Sequence, residues 1–316
     1  MLTITSCSSS PDSTVVDNTG YIEGSDGVRL FYRIAGAGSD TVVVVHGGPG
    51  AGMDAVRLDF GPLSTGRTVI YYDQRGGGKS TLPTDTTLLG AHHHVGVLEA
   101  VRQYFGFEQM DVVAHSFGSI IVAEYATLYP HRLRRIVFVG ATGPRRSSAG
   151  ALARGRFVDA DTSLLREMYQ PMSELLSGTA DNPVAACEAY REAGAKLAES
   201  LGEPSVEGRG SECLMAASAL SYYFRYTAQI GPASVGKWDY TTTLGSLKAP
   251  LLVIYGARDS EGIAVQREWM EAVDSARLLA ITEAGKAVHV ERPESVFEAI
   301  NAFLGGRWPA DAEQIP

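Results

Sequence analysis

The stretch MDVVAHSFG, residues 110–118, decides the fold of this chain. Its first half is a short, continuous apolar run, which suits a strand covered on both faces. A helical pattern over 117–129 begins directly after Ser116 and ends at Pro130. Small residues, Ala114 and Gly118, flank the serine on either side. Strand, tight turn and helix in this order predict that the oxygen of Ser116 projects above the edge of a sheet, as a nucleophile would require.

Five further short runs rich in β-branched residues predict strands of the same sheet. They are TVVVV (41–45), TVIYY (68–72), RIVFV (135–139), PLLVIY (250–255) and RLLAI (277–281). Helical patterns follow at 95–105, 263–273 and 295–304, and an alternating segment over 21–35 predicts an antiparallel hairpin at the start. Strands that alternate with helices predict the α/β class, with a doubly wound, mostly parallel sheet.

The alternation is interrupted over about 143–245, where the chain is rich in Ala, Glu and Arg at helical spacing. We therefore predict a helical cap at 144–245, inserted into a core formed by 20–143 and 246–308. Pro171 is predicted to interrupt the helices of this cap. The remaining segments, 1–19 and 309–316, are predicted to be a disordered N-terminal tail and a C-terminal tail.

Composition and charge exclude several classes of protein. The 316 residues carry a net charge of -9, and their basic residues are scattered, so no nucleic-acid partner is expected. No apolar run approaches the roughly 18 residues of a membrane-spanning helix. The three cysteines show no disulfide or zinc spacing and are predicted to be thiols, and neither a metal nor a cofactor is expected.

The N-terminal residues bear on localisation. They lack the basic start and the apolar run of a secretory signal, so we predict a cytoplasmic protein. Cys7, which follows Thr-Ser, leaves export or a lipid anchor as the alternative. The sequence carries no signal of the oligomeric state.

A serine nucleophile needs a base, and among the seven histidines His289 is the best candidate. It follows the predicted strand 277–281, at the edge where open α/β sheets place their chemistry. The other histidines are predicted to have structural or surface roles, and His92, His93 and His94 to form a solvated face at a helix start.

The acid that would orient His289 is predicted to be Asp259, which follows PLLVIY directly. A helix N-cap is the alternative role for this residue, and Glu283 and Asp274 are weaker candidates for the acid. The order Ser116, Asp259, His289 along the chain is that of α/β-hydrolases and differs from that of the trypsin-like and subtilisin-like proteases.

Two glycine-rich loops follow the strands TVVVV and TVIYY. HGGPG, residues 46–50, lets backbone amides approach a developing oxyanion, together with the amide of Phe117. Neither GxGxxG nor GxxxxGK[ST] is present, so a phosphate cradle is not supported. DQRGGGKS, residues 73–80, is predicted to brace the floor of the site, with Asp73 and Arg75 hydrogen-bonded to neighbouring loops.

HGGPG and DQRGGGKS together resemble the proline iminopeptidase branch of the α/β-hydrolases, and the resemblance covers roughly 21–143 and 246–306. It implies the α/β-hydrolase fold, triad roles for Ser116, Asp259 and His289, and oxyanion amides from Gly48 and Phe117. It also implies the metal-free removal of an N-terminal residue, often proline, from peptides.

The chain departs from this family at two places. AHSFG replaces the usual GGSWG at the nucleophile, and Leu220 stands where a cap glutamate commonly holds the free amine of the substrate. An ammonium group in an apolar pocket needs a counter-charge, which Glu212 is one candidate to supply.

The predicted activity is therefore acyl hydrolysis through an acyl-enzyme, on a small-molecule or short-peptide substrate. Two alternatives remain open: an aminopeptidase, and a carboxylesterase or lactonase. A non-catalytic binding protein on the same fold is less favoured because all three triad members are present. Tyr222, Tyr223 and Phe224 are predicted to line an acyl pocket, with ordinary packing inside the cap as the alternative.

Overall fold

The computed structural model describes residues 18–24, 26–155, 160–203 and 208–314. These residues form one eight-stranded sheet of order β1-β2-β4-β3-β5-β6-β7-β8. β1 pairs with β2 and β2 with β4 in antiparallel fashion, and all other pairs are parallel. The strands are β1 (Asn18–Glu23), β2 (Arg29–Ala35), β3 (Thr41–Val45), β4 (Thr68–Tyr72), β5 (Met110–His115), β6 (Leu133–Val139), β7 (Leu251–Gly256) and β8 (Ala276–Ile281). The predicted α/β fold with a mostly parallel sheet is confirmed.

Helices cover both faces of this sheet and fill the insertion between β6 and β7. They are α1 (Asp54–Arg57), α2 (Ala91–Tyr104), α3 (Gly118–Leu128), α4 (Arg146–Gly155), α5 (Thr162–Ser177), α6 (Pro183–Ser200), α7 (Ala217–Tyr222), α8 (Ala228–Val235), α9 (Ser260–Ala272), α10 (Val288–Glu291) and α11 (Pro293–Leu304). A π-helical turn, Tyr223–Thr227, joins α7 to α8. None of the helices within the described ranges is long and apolar enough to cross a bilayer.

The central strands are apolar throughout because both of their faces are buried. On β3, Val43 and Val45 belong to the core under α2, α3 and α9, while Val42 and Val44 belong to the core under α1 and α11. Side chains on a strand alternate between its faces, so a strand with a helical layer on each side needs an unbroken apolar run. Continuous apolar runs in the sequence therefore predicted these strands closely.

The insertion forms a helical cap with its own small core. The prediction that the cysteines are free thiols was wrong for two of them. Cys187 on α6 and Cys213 in a short 3-10 turn form a disulfide, with their Cα atoms 5.7 Å apart. Only the folding of the cap brings together two residues that are 26 positions apart in the sequence. Both cysteines are buried in a cluster with Leu175, Leu220 and Phe224.

The prediction that Pro171 interrupts the cap helices was also wrong. Pro171 lies inside α5, which continues to a left-handed stop at Gly178, where φ is +75°. α5 packs along α6 on residues such as Met168 and Leu197, and this tertiary packing outweighs the single backbone hydrogen bond that a proline removes.

The segments predicted as tails are partly ordered. Residues 1–17 of the predicted N-terminal tail, Cys7 included, lie outside the described residues, whereas Asn18 and Thr19 already pair with β2. Within the predicted C-terminal tail, Glu313 exchanges two backbone hydrogen bonds with Leu278 of β8.

His94 corrects the predicted solvated face at the start of α2. His92 is exposed, but His94 is only 1% exposed, and both of its ring nitrogens are buried. Burial lowers the pKa of His94 to about 3, so the ring is neutral at ordinary pH.

Candidate active site

Ser116 occupies the turn between β5 and α3, as predicted. Its φ of +51° lies in the left-handed region that residues other than glycine rarely adopt. The Ser116 amide donates to the carbonyl oxygen of Val139 (3.2 Å), and its own carbonyl accepts from Thr142 N (3.2 Å), so neighbouring backbone holds the strained turn. A Cβ atom on Gly118 would lie 2.4 Å from the carbonyl oxygen of Val45, which explains the glycine there. The serine thereby stands at the N-terminus of α3, where partial positive charge favours an anion.

The HGGPG loop lies directly against this turn. A Cβ atom on Gly47 would lie 2.9 Å from Ser116 Cβ and 3.3 Å from the amide nitrogen of Phe117. Gly48 has φ +117° and precedes Pro49 through a cis peptide bond. Gly47 is therefore the loop glycine that lies against Ser116, which the sequence did not single out, and the oxyanion role of Gly48 stays a prediction. The two consecutive glycines were the available signal.

Gln74 joins the two glycine-rich loops. Its side chain accepts a hydrogen bond from Gly50 N (3.0 Å) and donates one to the carbonyl oxygen of His46 (2.6 Å). The backbone N–H of Gln74 also donates to His46 Nε2 (3.2 Å). The ring proton of His46 therefore lies on Nδ1, which donates to the carbonyl oxygen of Gly47 (2.8 Å). Burial lowers the pKa of His46 to about 4 and keeps this arrangement neutral.

Asp73 and Arg75 of the DQRGGGKS loop are bonded to neighbouring loops, as predicted. The carboxylate of Asp73 accepts from Met53 N and Lys79 N, both at 2.7 Å, and burial raises its pKa to about 6. Arg75 forms an ion pair with Asp26 (2.7 Å) and donates to the carbonyl oxygen of Leu88. Both predicted contacts with neighbouring loops are confirmed.

His289 lies on α10, after the loop that leaves β8. Its ring packs edge-to-face against His115, with ring centroids 4.7 Å apart, and against Phe60 at 5.1 Å. The structure thus brings His289 to the residue that precedes Ser116. Burial lowers the pKa of His289 to about 4, opposed by the charge of Asp59. The imidazole is therefore neutral at pH 7, which a general base requires.

Asp259 follows β7 in the predicted position, but its carboxylate is engaged elsewhere. One oxygen accepts from Gly262 N (2.7 Å) and caps α9, and the other accepts from the Tyr255 hydroxyl (2.9 Å). His289 Nδ1 is buried and has no hydrogen-bond partner within the part of the chain that the structure describes. The structure therefore places Asp259 near the predicted edge but joins it to its own helix rather than to the histidine, and the triad role of Asp259 stays a prediction.

The weaker acid candidates are also accounted for. Glu283 is exposed and forms an ion pair with Arg292, and Asp274 lies exposed between α9 and β8.

The cap sits directly on both glycine-rich loops. Thr227 donates to the carbonyl oxygen of Gly76 (2.8 Å) and packs against Gly50. The sulfur of Met215 accepts from Gly78 N (3.1 Å), and Gly231 packs against Pro49. Cap residues therefore form the roof over the loop that approaches Ser116.

The predicted substrate residues have packing roles of their own. Tyr223 and Phe224 are buried in the cap cluster beside the disulfide, and the hydroxyl of Tyr222 donates to the carbonyl oxygen of Pro83. Leu220 is fully buried in the same cluster, and Glu212 pairs with Arg191 (3.3 Å). Contact of the three aromatic residues with substrate stays a prediction.

One group of possible metal ligands occurs among the described residues. A ligand atom each of Cys187, Glu212 and Cys213 lies within 4.8 Å of the others. Both sulfurs are used in the disulfide, so this group does not fit a metal in the oxidised chain.

Comparison with known proteins agrees with the fold described above. The α/β-hydrolase fold family model matches residues 40–293. A proline iminopeptidase of Heyndrickxia coagulans is 24% identical over 90% of this chain and 98% of its own length. A bifunctional esterase/perhydrolase of Acinetobacter calcoaceticus is 26% identical over 76% of this chain and 82% of its own. The crystal structure of a proline iminopeptidase from Mycobacterium smegmatis superposes with a TM-score of 0.66, at 20% identity, covering 92% of this chain and 98% of that one.

The match spans most of the chain and includes both glycine-rich loops, the serine turn and the loop of His289. The resemblance to proline iminopeptidases is thus confirmed, and the chain belongs to the α/β-hydrolase fold family.

Proposed function

We propose that this chain is a serine hydrolase that cleaves an amide or ester through an acyl-enzyme on Ser116. One observation carries the proposal: Ser116 is held at φ +51° at the N-terminus of α3, with the HGGPG backbone against it. Holding a residue other than glycine in this region costs free energy, and such strain is concentrated at functional sites.

The residues suggest the following sequence of steps. His289, neutral at pH 7, takes the proton of the Ser116 hydroxyl while the serine oxygen attacks the acyl carbon. The amides of Gly48 and Phe117 hold the oxyanion, with Gly47 permitting the close approach. The proton then passes from His289 to the leaving amine or alcohol as its bond to the acyl carbon breaks. Water, deprotonated by His289, finally releases the acyl group and restores the serine.

The proposed substrate is a short peptide that loses its N-terminal residue. The support is the resemblance to proline iminopeptidases, one of which aligns over 98% of its own length.

An ester or lactone is the second candidate substrate, and two features of the cap favour it. Leu220 is buried in the cap core, and the carboxylate of Glu212 is paired with Arg191. A substrate ammonium needs an available counter-charge, whereas an ester does not. The similarity to an esterase/perhydrolase points the same way.

A panel of chromogenic substrates tests both candidates. Prolyl- and alanyl-p-nitroanilide, each with a free and an acetylated N-terminus, are compared with p-nitrophenyl acetate and butyrate. Cleavage of the free prolyl or alanyl amide and not of its acetylated form supports the aminopeptidase. Ester cleavage with no amide cleavage supports the esterase, and Ser116→Ala should abolish either activity.

For localisation, we propose an exported protein in place of the cytoplasmic one predicted from the sequence. The support is the Cys187–Cys213 disulfide, since such bonds persist in oxidising compartments and are rare in the cytosol. Fractionation of the native host tests this: the chain should appear outside the cytoplasm, and its recovery as a reduced cytoplasmic protein would contradict the proposal.

A further inference from the structure

We propose that Asp59 is a positioning residue, which fastens the cap segment 208–210 to the core and holds a negative charge beside His289. The inference rests on the proposed role of His289 as general base. Asp59 belongs to neither of the glycine-rich motifs, and it lies between α1 and the following 3-10 turn.

The contact with the cap is made through two backbone amides. The carboxylate of Asp59 accepts from Arg209 N and from Gly210 N, both at 2.8 Å, while only 8% of the residue is exposed. These partners lie 150 and 151 positions away in the sequence. A buried carboxylate that accepts hydrogen bonds from the backbone amides of a distant segment fixes the position of that segment.

The contact with the histidine runs through the neighbours of both residues. Phe60, directly after Asp59, packs edge-to-face on the His289 ring with centroids 5.1 Å apart. A Cβ atom on Gly208 would lie 2.8 Å from Asp59 Oδ2 and 3.1 Å from Cγ2 of Val290, the residue after His289. The cap segment is therefore wedged between the Asp59 carboxylate and the helix that carries the base.

The charges around His289 make Asp59 distinctive. The half-buried ring of His115 packs on His289, and Lys286 of the preceding loop acts on His115. The carboxylate of Glu291, on the same helix, is paired with Arg258 and accepts from Gly285 N.

Asp59 differs from these groups because its negative charge opposes the effect of burial on the pKa of His289. Its counter-ion is Arg209, whose Nε is 3.7 Å away on a side chain that is 71% exposed.

This arrangement has a consequence for catalysis. His289 must become an imidazolium when it takes the serine proton, in surroundings that disfavour charge. A nearby carboxylate favours that charged form. Asp59 thus couples the position of cap segment 208–210 to the proton affinity of His289.

Asp59→Asn is the first test, since it keeps the size of the side chain and removes the charge. The acid limb of kcat/KM, which reports the base of the free enzyme, should move to lower pH by about one unit, and kcat should fall about tenfold. Folded protein is diluted from neutral pH into each assay buffer and its activity is read at once, and circular dichroism checks that it is folded at each pH. Asp54→Asn is the matched control, because that carboxylate is partly exposed, binds Arg57 and should leave the profile unchanged.

Two further variants separate the effect of charge near His289 from the effect of the position of cap segment 208–210. Arg209→Ala removes an exposed positive charge, so the acid limb should move the opposite way, to higher pH, even if Asp59→Asn fails to fold. Gly208→Ala inserts a methyl group between Asp59 and Val290 without changing charge. It should raise KM, more for larger substrates, and move the acid limb by less than Asp59→Asn does, because the carboxylate is displaced but keeps its charge.

The outcomes distinguish this inference from the proposed function. Unchanged acid limbs in both Asp59→Asn and Arg209→Ala, with normal labelling of Ser116 by a fluorophosphonate, would overturn the role of Asp59 alone. A folded wild-type chain that takes no label would overturn the serine hydrolase itself.

Discussion

The hydroxyl of Tyr255 donates a 2.9 Å hydrogen bond to the carboxylate of Asp259, the residue predicted to orient His289. The second oxygen of that carboxylate caps α9 through Gly262 N. Asp259 therefore has two competing uses, one in the helix that follows it and one in the triad. Because none of the described residues accepts from or donates to His289 Nδ1, this nitrogen is available to bind an acid.

Asp259→Asn decides between these uses. If Asp259 orients His289 during turnover, kcat should fall by about 10³–10⁴, the loss seen when a triad acid becomes an amide. If it serves only as a cap, the variant should lose about 1 kcal/mol of stability and retain kcat within a few-fold. Kinetics combined with chemical unfolding separates the two results.

Tyr255→Phe provides the complementary change. It removes the hydroxyl that occupies one oxygen of Asp259 and leaves the carboxylate in place. A triad role for Asp259 predicts kcat equal to or above that of the wild type, because the freed oxygen can face His289. A loss of kcat as large as that of Asp259→Asn would contradict this account.

The buried histidines predict that the chain loses stability in acid. The pKa values of His46 and His289 are lowered to about 4 and that of His94 to about 3, all below the unfolded value of 6.5. Unfolded histidines therefore bind more protons than folded ones, so their contribution is complete above pH 6.5 and is lost as pH falls through about 4. Each costs about 1.4 kcal/mol per pH unit within that window.

Asp73 opposes this trend. Its folded pKa of about 6 lies above the unfolded 3.8, so its contribution is present at low pH and lost as pH rises through about 6. The three histidines together change the free energy of unfolding more than the one carboxyl does. Urea unfolding should therefore give a free energy of unfolding that decreases from pH 6.5 to 5.5 and 4.5. His94→Leu should reduce the slope, whereas His92→Leu, at an exposed position, should not. A stability that does not change over this range would contradict the burial argument.

The disulfide predicts a definite thiol count and a loss of stability on reduction. Because Cys187 and Cys213 form one bond, reduction of the denatured chain should raise its number of reactive thiols by two. The Cys187→Ala, Cys213→Ala double variant should lose about 3 kcal/mol of stability, as loop-entropy estimates give for a loop of this size. A number of reactive thiols that does not change on reduction would show that the bond does not form.

Gln74 predicts that the glycine-rich loops act as a unit. Gln74→Ala leaves Gly50 N and the carbonyl oxygen of His46 without their partners, which should cost about 2–3 kcal/mol and lower kcat as the loop against Ser116 shifts. Gln103→Ala, which removes a contact with Glu99 at the protein surface, is the control and should change neither quantity. Full activity in Gln74→Ala would show that the loop holds its position without the glutamine.

Sequence reasoning reached the features that depend on local pattern. The strand TVVVV was predicted to the residue because burial on both faces leaves an unbroken β-branched run, and Ser116 was found because strand, small residue and helix follow in order. His289 and Asp259 were placed at strand ends for the same reason.

Features that depend on distant contacts were missed. The disulfide needs α6 to lie against a turn 26 residues away, and the burial of His94 depends on how α2 packs onto the sheet. The bond from Tyr255 to Asp259 spans four residues, but the choice between cap and triad depends on side-chain orientation, which spacing does not encode. Asp59 carries no motif at all, since its partners lie 150 positions away.

The most direct test of the central claim is covalent labelling of Ser116. Wild-type chain treated with a fluorophosphonate should gain the mass of one adduct, located on the peptide that contains Ser116, and lose hydrolase activity in proportion. Ser116→Ala, shown to be folded by its circular dichroism, should gain nothing. A folded wild-type chain that takes no adduct, or an adduct that persists in Ser116→Ala, would contradict the assignment of Ser116 as the nucleophile.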